Sequence, residues 1–184
     1  MRLFAAVLPP EAALAELRDA VRPLRDDRLK WTGEPAWHFT LAFMGEVRDE
    51  VLPELHARLA RAATRTAPFP LRLHGVGHFG DRALWVGAAG DLDTMRLLAE
   101  RADAAARRAG VPMEQHRRYT PHLTLGRSRD GTVPLRPYLD ALAGFEGTPW
   151  QADTLSLVRS NLPVSGVPGE QPRYETVGAW PLHG

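Results

Sequence analysis

The feature that most constrains the fold is a four-residue pattern, His-x-Thr-Leu, that occurs twice in the chain. The first copy begins at His38 and the second at His122, and each lies in a segment of alternating apolar and polar residues. Successive side chains of a strand point to opposite faces, so the histidine and threonine of each copy share one face. These polar residues could also simply face solvent on the outer side of each strand. Two such strands side by side, however, would bring two imidazoles and the hydroxyls of Thr40 and Thr124 into one cleft.

Around each motif the chain shows the same order of elements: strand, helix, motif strand, helix and strand. Pro23 ends the first helix, whereas Asp91 caps the third and Gly110 stops it. We expect a duplicated α+β unit whose halves share one cleft. No segment is rich enough in glycine, serine and proline to separate two domains, so a single domain over residues 1–184 is expected. The patterns predict strands over residues 2–8, 68–79, 83–88, 154–160 and 173–180, motif strands ending at 45 and spanning 119–128, and helices beginning near 9, 49, 91 and 137.

The composition is that of an ordinary soluble globular protein, with 44% apolar and 24% charged residues among 184. No apolar run approaches the roughly 20 residues of a membrane helix, and residues 4–8 are too few for a signal peptide, which favours the cytoplasm. The absence of cysteine excludes disulfides, a thiolate zinc site and a cysteine nucleophile. With a net charge of +1, no global field draws the protein onto nucleic acid.

A pair of histidines can divide general-base and general-acid duties, because a free imidazole pKa of about 6.5 allows both forms to exist near neutral pH. Such a pair suits in-line displacement at a phosphodiester. One imidazole takes a proton from the attacking water and the other delivers one to the leaving sugar oxygen, while neighbouring hydroxyls bind the phosphoryl oxygens. Arg127, on the second motif strand, is the best-placed cation for a phosphate, whereas Arg117, Arg118 and Arg129 fit a solvated basic loop.

Other chemistries have weaker support in the sequence. It contains no Gly-x-Ser-x-Gly elbow, no Walker phosphate loop and no glycine-rich dinucleotide fingerprint. His74 and His78 would need a helix to share a metal ion, but they lie in a segment that we expect to be a strand. His38 and His122 could themselves bind zinc, although threonine is a poor partner for zinc. We therefore expect no metal and no other cofactor.

The paired motifs, in a chain of this length, resemble those of the two-histidine phosphoesterase superfamily, and more narrowly of the RNA 2′,3′-cyclic phosphodiesterase family. The resemblance runs nearly end to end. It implies a bilobal α+β fold with pseudo-two-fold symmetry, in which antiparallel-type sheets surround a central groove lined by the motif strands. The segments that carry it are Arg2 to Phe4, Leu8 to Pro10, His38 to Gly45, Gly75 to Phe79, Leu84 to Gly87 and Pro121 to Arg127.

The resemblance also implies an activity, the metal-independent opening of a 2′,3′-cyclic phosphate at an RNA end to a 2′-phosphomonoester. By the same resemblance His122 activates water and His38 protonates the departing 3′ oxygen. Thr40 and Thr124 are implied to hold the phosphate oxygens.

Arg127, Phe43 and Phe79 are implied contacts to the bound nucleotide, but strict alternation opposes two of them. Phe43 and Arg127 each lie three residues after a motif threonine, which places them on the face away from the histidines. A bulge at equivalent places in the two repeats would redirect both side chains. Without such a bulge, Phe43 belongs to the core.

Other functions stay open on the sequence alone. The same chemistry would serve small cyclic phosphates of nucleotides, or 2′,5′-linked oligonucleotides. A protein that keeps the groove without turnover would be an RNA-end binding module. The expected partners are RNA ends with a cyclic phosphate or nucleotide cyclic phosphates, with no membrane partner, and the chain is expected to be a monomer.

Overall fold

The computed structural model describes residues 1–114 and 118–184. The helices in these residues are α1 (Glu11–Val21), α2 (Leu52–Thr64), α3 (Leu92–Ala109) and α4 (Arg136–Leu142), and 3₁₀ turns cover Arg22–Leu24, Glu34–Ala36 and Asp49–Val51. The strands are β1 (Arg2–Val7), β2 (Lys30–Trp31), β3 (Phe39–Glu46), β4 (Phe69–Phe79), β5 (Ala83–Gly90), β6 (Leu123–Arg127), β7 (Trp150–Ala152), β8 (Thr154–Asn161) and β9 (Arg173–Pro181).

The strands form two antiparallel sheets, each of which contains one motif strand. The first sheet has the order β3-β1-β8-β9, and the second has the order β2-β6-β5-β4-β7. Every pairing between these strands is antiparallel. The predicted α+β class with antiparallel sheets is confirmed.

The duplication is visible in how the strands pair. β1 and β3 flank α1 in the chain and pair with each other, and β5 and β6 do the same around α3. The third strand of each sheet comes from the other half of the chain. β4 follows α2 but pairs with β5, and β8 follows α4 but pairs with β1. Each half therefore completes the sheet of the other.

The helix boundaries follow the local signals in the sequence. The carboxylate of Asp91 accepts a hydrogen bond from the Thr94 N–H at 3.0 Å, and Gly110 ends α3 with a left-handed φ of 99°. Pro23 ends the α-helical hydrogen bonding of α1, and the chain continues for three residues as a 3₁₀ turn. In the part of the chain that the structure describes, no helix is both long and apolar enough to cross a membrane.

The apolar positions of both motifs lie in the core, as alternation predicts. Phe39 and Leu123 are fully buried, and Leu41 and Leu125 are buried beside them. Helix α3 packs against β3 and β4, whereas α2 packs against β8 and β9. The histidines and threonines stand on the opposite side of the motif strands, so the core fixes their backbone while their side chains lie outside it.

Three features of the fold differ from the sequence predictions. The second motif strand begins at Leu123 rather than at residue 119, because Pro121 has no N–H to contribute to a ladder. The edge strands β2 and β7 were not predicted, since two and three residues are too few to show alternation.

Candidate active site

Both motif strands contain the same irregularity directly after the motif threonine. In β3, Thr40 pairs with Ala6 and Ala42 pairs with Ala5, so Leu41 has no partner. In β6, Thr124 pairs with Trp85 and Gly126 pairs with Leu84, so Leu125 has no partner. One extra residue in a strand shifts the alternation of all that follow. The two repeats therefore share a β-bulge at the equivalent position.

The bulge determines where Phe43 and Arg127 point. Two successive residues after each threonine are buried, and the third side chain emerges on the face of the histidines. Phe43 is 50% exposed and its ring lies 4.7 Å from the Arg2 guanidinium, so it is not a core residue. Arg127 is exposed at the corresponding place in β6. Strict alternation was wrong for both residues, and the bulge is the physical reason.

The two motifs line one cavity of about 340 Å³, which we call the motif cavity. Both histidines and both threonines of the motifs contribute to it, together with Arg127. Lys30 adds a second cation, and no carboxylate among the described residues lines this cavity. The structure thus assembles five of the seven predicted site residues around a space that favours an anion.

His38 is held between aromatic rings. It stacks on Phe4 with ring centroids 4.6 Å apart and meets Tyr174 nearly edge-on at 5.3 Å. Burial, and secondarily the charge of His122, lowers the pKa of His38 from 6.5 to about 4. At physiological pH His38 is therefore neutral, and it lies within electrostatic reach of His122.

His122 is oriented by a hydrogen bond as well as by rings. Its Nδ1 donates to the carbonyl oxygen of Thr120 at 2.8 Å. Because a carbonyl only accepts, the proton of neutral His122 resides on Nδ1, and Nε2 carries a lone pair. Phe79 meets the imidazole edge-on at 4.7 Å between centroids, and Trp85 lies at 6.2 Å.

A second depression, the wide groove, adjoins the motif cavity and has a volume of about 750 Å³. Thr40 and His122 line both spaces, so the two are continuous at the motifs. Phe43 and Phe79 line the wide groove and are 50% and 43% exposed. The two predicted aromatic contacts thus lie together, beside the motif cavity rather than inside it. Carboxylates on the wall of the groove come from Glu100, Asp103 and Glu114.

The sequence reasoning missed Lys30 and Tyr174, among other residues that line the motif cavity. Lys30 is the only lysine of the chain, and it reaches the cavity because β2 pairs Lys30 with Arg127. Tyr174 lies in a strand that was correctly predicted, but β9 and β3 form opposite edges of their sheet, so only the three-dimensional structure shows that Tyr174 contacts His38. Neither residue belongs to a sequence motif. The only signal in the sequence was that Lys30 is the single lysine of an arginine-rich chain.

The other histidines and arginines considered from the sequence lie elsewhere. His74 and His78 both lie in β4, where four residues span about 13 Å, too far for one shared ion. Among residues 1–114 and 118–184 no cluster of three metal-binding side chains occurs. Arg118 lines the wide groove and Arg129 is exposed, whereas Arg117 lies outside the described residues.

Both the sequence and the fold of this chain match those of known proteins. A profile of the family described as the 2′-5′ RNA ligase superfamily matches residues 7–162, a range that includes both motif strands. The chain belongs to the 2′-5′ RNA ligase superfamily. The similarity to the two-histidine phosphoesterases that the motifs suggested is thereby confirmed.

Individual members of the superfamily are similar over much of the chain. An RNA 2′,3′-cyclic phosphodiesterase of Thermus thermophilus is 36% identical over 202 residues, covering 100% of this chain and 91% of the relative. Another, from Geobacillus stearothermophilus, is 30% identical over 158 residues, which are 84% of this chain and 48% of the relative, so the chain spans about half of that protein. The crystal structure of TT0787 of Thermus thermophilus has 32% identity and a TM-score of 0.74, covering 100% of this chain and 99% of that one.

Proposed function

We propose that this member of the superfamily hydrolyses 2′,3′-cyclic phosphate ends of RNA to 2′-phosphomonoesters. The observation that carries the proposal is the motif cavity, in which two imidazoles, two hydroxyls and two cations meet without a carboxylate among the described residues. Relatives at 36% and 30% identity carry the name RNA 2′,3′-cyclic phosphodiesterase. Hydrolysis of a cyclic phosphodiester requires that one proton be removed from the attacking water and one be delivered to the leaving oxygen. Two imidazoles can perform both transfers, and the two cations match the negative charge of the diester.

The hydrogen bond at Nδ1 suits His122 to the role of general base. Nε2 of His122 accepts a proton from water as the water oxygen attacks phosphorus. The bond from phosphorus to the 3′ oxygen breaks in line, and His38 donates a proton to that oxygen. The bond to the 2′ oxygen stays intact, so the product is a 2′-phosphomonoester with a 3′ hydroxyl. Thr40, Thr124 and Arg127 bind the phosphoryl oxygens, where negative charge accumulates.

The substrate itself prepares His38 to act as the acid. The surroundings of His38 lower its pKa to about 4, which leaves the imidazole without the proton that an acid needs. A phosphodiester anion within a few ångströms favours the charged imidazolium and raises the pKa. His38 thus gains its proton when substrate binds, and it gives that proton up readily because its surroundings are apolar.

We further propose that the reaction needs no metal ion. Magnesium and calcium prefer oxygen ligands, above all carboxylates, and none lines the motif cavity in the described part of the chain. Arg127 and Lys30 occupy the place where a metal would otherwise balance the phosphate charge.

The test is turnover of a short RNA with a 2′,3′-cyclic phosphate end in excess EDTA, by the parent protein and by His122→Ala. We expect turnover by the parent and a loss of about 10²–10⁴-fold in the variant. Circular dichroism establishes that the variant is folded, and a cyclic mononucleotide assayed in parallel separates RNA from small cyclic phosphates. Loss of parent activity in EDTA would refute metal independence, and full activity of the variant would remove His122 from the mechanism.

A further inference from the structure

A second cationic site lies between α2 and α3, on surfaces that the proposed reaction does not use. Arg58 and Arg61 of α2 and Arg65 at its C-cap recur at helical spacing on one side of that helix. Arg101 and Arg108, two turns apart, face them from α3. The five arginines line a cavity of about 110 Å³ whose remaining lining residues are alanines. We call this cavity the arginine slot.

A direct contact fixes one end of the slot. Nη1 of Arg101 donates hydrogen bonds to the Arg65 carbonyl oxygen at 2.6 Å and to Oγ1 of Thr66 at 2.8 Å. Arg58 precedes Arg65 by seven residues, and Arg108 follows Arg101 by seven. At the rise of an α-helix, each separation is about 10 Å. Arginines of both helices therefore line the slot over about two helical turns.

The positive charge of the slot is poorly balanced by the protein. Glu54 is the only described carboxylate within ion-pair distance of the five arginines. Its Oε1 lies 2.6 Å from Arg58 Nε, without the geometry of a hydrogen bond, and 3.9 Å from Arg61 Nη2. Asp103, on a neighbouring face of α3, pairs with Arg107 instead. Among the described residues, no carboxylate pairs with Arg65, Arg101 or Arg108.

Clustered guanidinium groups repel one another unless an anion lies between them. The planar guanidinium matches the oxygens of a phosphate better than any other cationic side chain. Among the described residues only arginines and alanines line the slot, so none of them offers an aromatic ring on which a base could stack. This arrangement suits the backbone of a nucleic acid rather than its bases.

We propose that the arginine slot binds backbone phosphates of the RNA whose cyclic end is hydrolysed at the motifs; this rests on the proposed function. Helix α3 lies between the slot and the wide groove, because Glu100 and Asp103 line the wide groove while Arg101 and Arg108 line the slot. The width of the helix, about 10–12 Å, separates the slot from the wide groove, which is continuous with the motif cavity at Thr40 and His122. At about 3.4 Å per stacked nucleotide, a strand of a few nucleotides spans the helix from the slot to the wide groove.

The test compares Arg65→Glu/Arg108→Glu with Arg22→Glu/Arg136→Glu, a control with the same change of charge at exposed arginines of other surfaces. Fluorescence anisotropy measures the Kd of a hydroxyl-ended single-stranded RNA long enough to cover both sites. We expect the slot variant to weaken binding by about tenfold and to reduce the slope of log K against log salt by about 1.4, or 0.7 per phosphate contact. The control should change both much less, and kcat/KM on a cyclic-ended dinucleotide should stay within about twofold.

Several outcomes would overturn the proposal. Equal losses of RNA affinity in the slot variant and the control would show a general charge effect. Unchanged RNA affinity in the slot variant would show that the slot does not bind RNA. If pyrophosphate raises the Tm of the parent but not of the slot variant, while RNA binding is equal in both, the slot accepts a small phosphate compound instead. Arg65→Gln/Arg108→Gln replaces the slot variant if that variant does not fold. Since binding is measured with hydroxyl-ended RNA, the result stands even if the parent shows no turnover.

Discussion

The two motif histidines are equivalent in sequence but not in surroundings. His38 is enclosed by Phe4 and Tyr174, and its pKa is lowered, whereas a backbone carbonyl holds the Nδ1 proton of His122. In the proposed mechanism the surroundings of His38 delay its protonation until an anion binds, whereas His122 presents the lone pair of Nε2 in a fixed direction. These differences, rather than the motif itself, favour opposite roles for the two imidazoles.

If the two imidazoles act as one unit, each single variant loses nearly the full effect of removing both. We expect His38→Ala and His122→Ala to lower kcat on cyclic-ended RNA by about 10²–10⁴-fold each, and the double variant to be less than about tenfold worse than either. Single-turnover assays of the three folded variants measure this. Independent, multiplying losses would contradict a shared mechanism.

The lowered pKa of His38 also makes stability depend on pH. The unfolded chain binds a proton as pH falls below about 6.5, but the folded chain does so only near 4, so this contribution is present above 6.5 and lost toward pH 4. Between about pH 7 and pH 5 the parent should lose roughly 1–2 kcal/mol more than His38→Gln, which has no such group. Urea unfolding at both pH values tests this, and equal losses in the two proteins would show that burial does not shift the pKa.

At the scale of elements, hydrophobic periodicity predicted most strands and helices, including the capping of α3 and both motif strands. It did not predict the bulges after Thr40 and Thr124, because a bulge depends on how the neighbouring strand is paired. Alternation therefore placed Phe43 and Arg127 on the wrong face, whereas their role as contacts to a nucleotide, which the family resemblance implies, stays a prediction. Edge strands of two or three residues lie below what any periodicity can detect.

The bulge predicts different consequences for two phenylalanines of the same strand. Phe43→Ala should raise KM for cyclic-ended RNA by about tenfold through loss of stacking, and should cost less than about 1 kcal/mol of stability because the ring is half exposed. Phe39→Ala, at a fully buried position, should cost about 3–5 kcal/mol. Thermal unfolding and steady-state kinetics separate the two effects. Comparable destabilisation by both variants would show that Phe43 packs in the core.

At the scale of the whole molecule, a net charge of +1 conceals two separate concentrations of positive charge. Lys30 and Arg127 meet at the motif cavity, and five arginines meet between α2 and α3. The sequence could not show either cluster, because the partners lie on different elements and the chain is rich in arginine throughout. The sequence also did not show that β4 and β8 each join the sheet of the other half, because the order of strands in a sheet depends on contacts between residues that are distant in sequence.

The most direct test of the central claim is the position of the phosphate in the product. The parent protein is incubated in excess EDTA with a short RNA that ends in a 2′,3′-cyclic phosphate, and the product is examined by ³¹P NMR. In the proposed mechanism His38 protonates the 3′ oxygen, so we expect a 2′-phosphomonoester as the only product. A 3′-phosphomonoester, a mixture of the two, or an unchanged cyclic phosphate would contradict it.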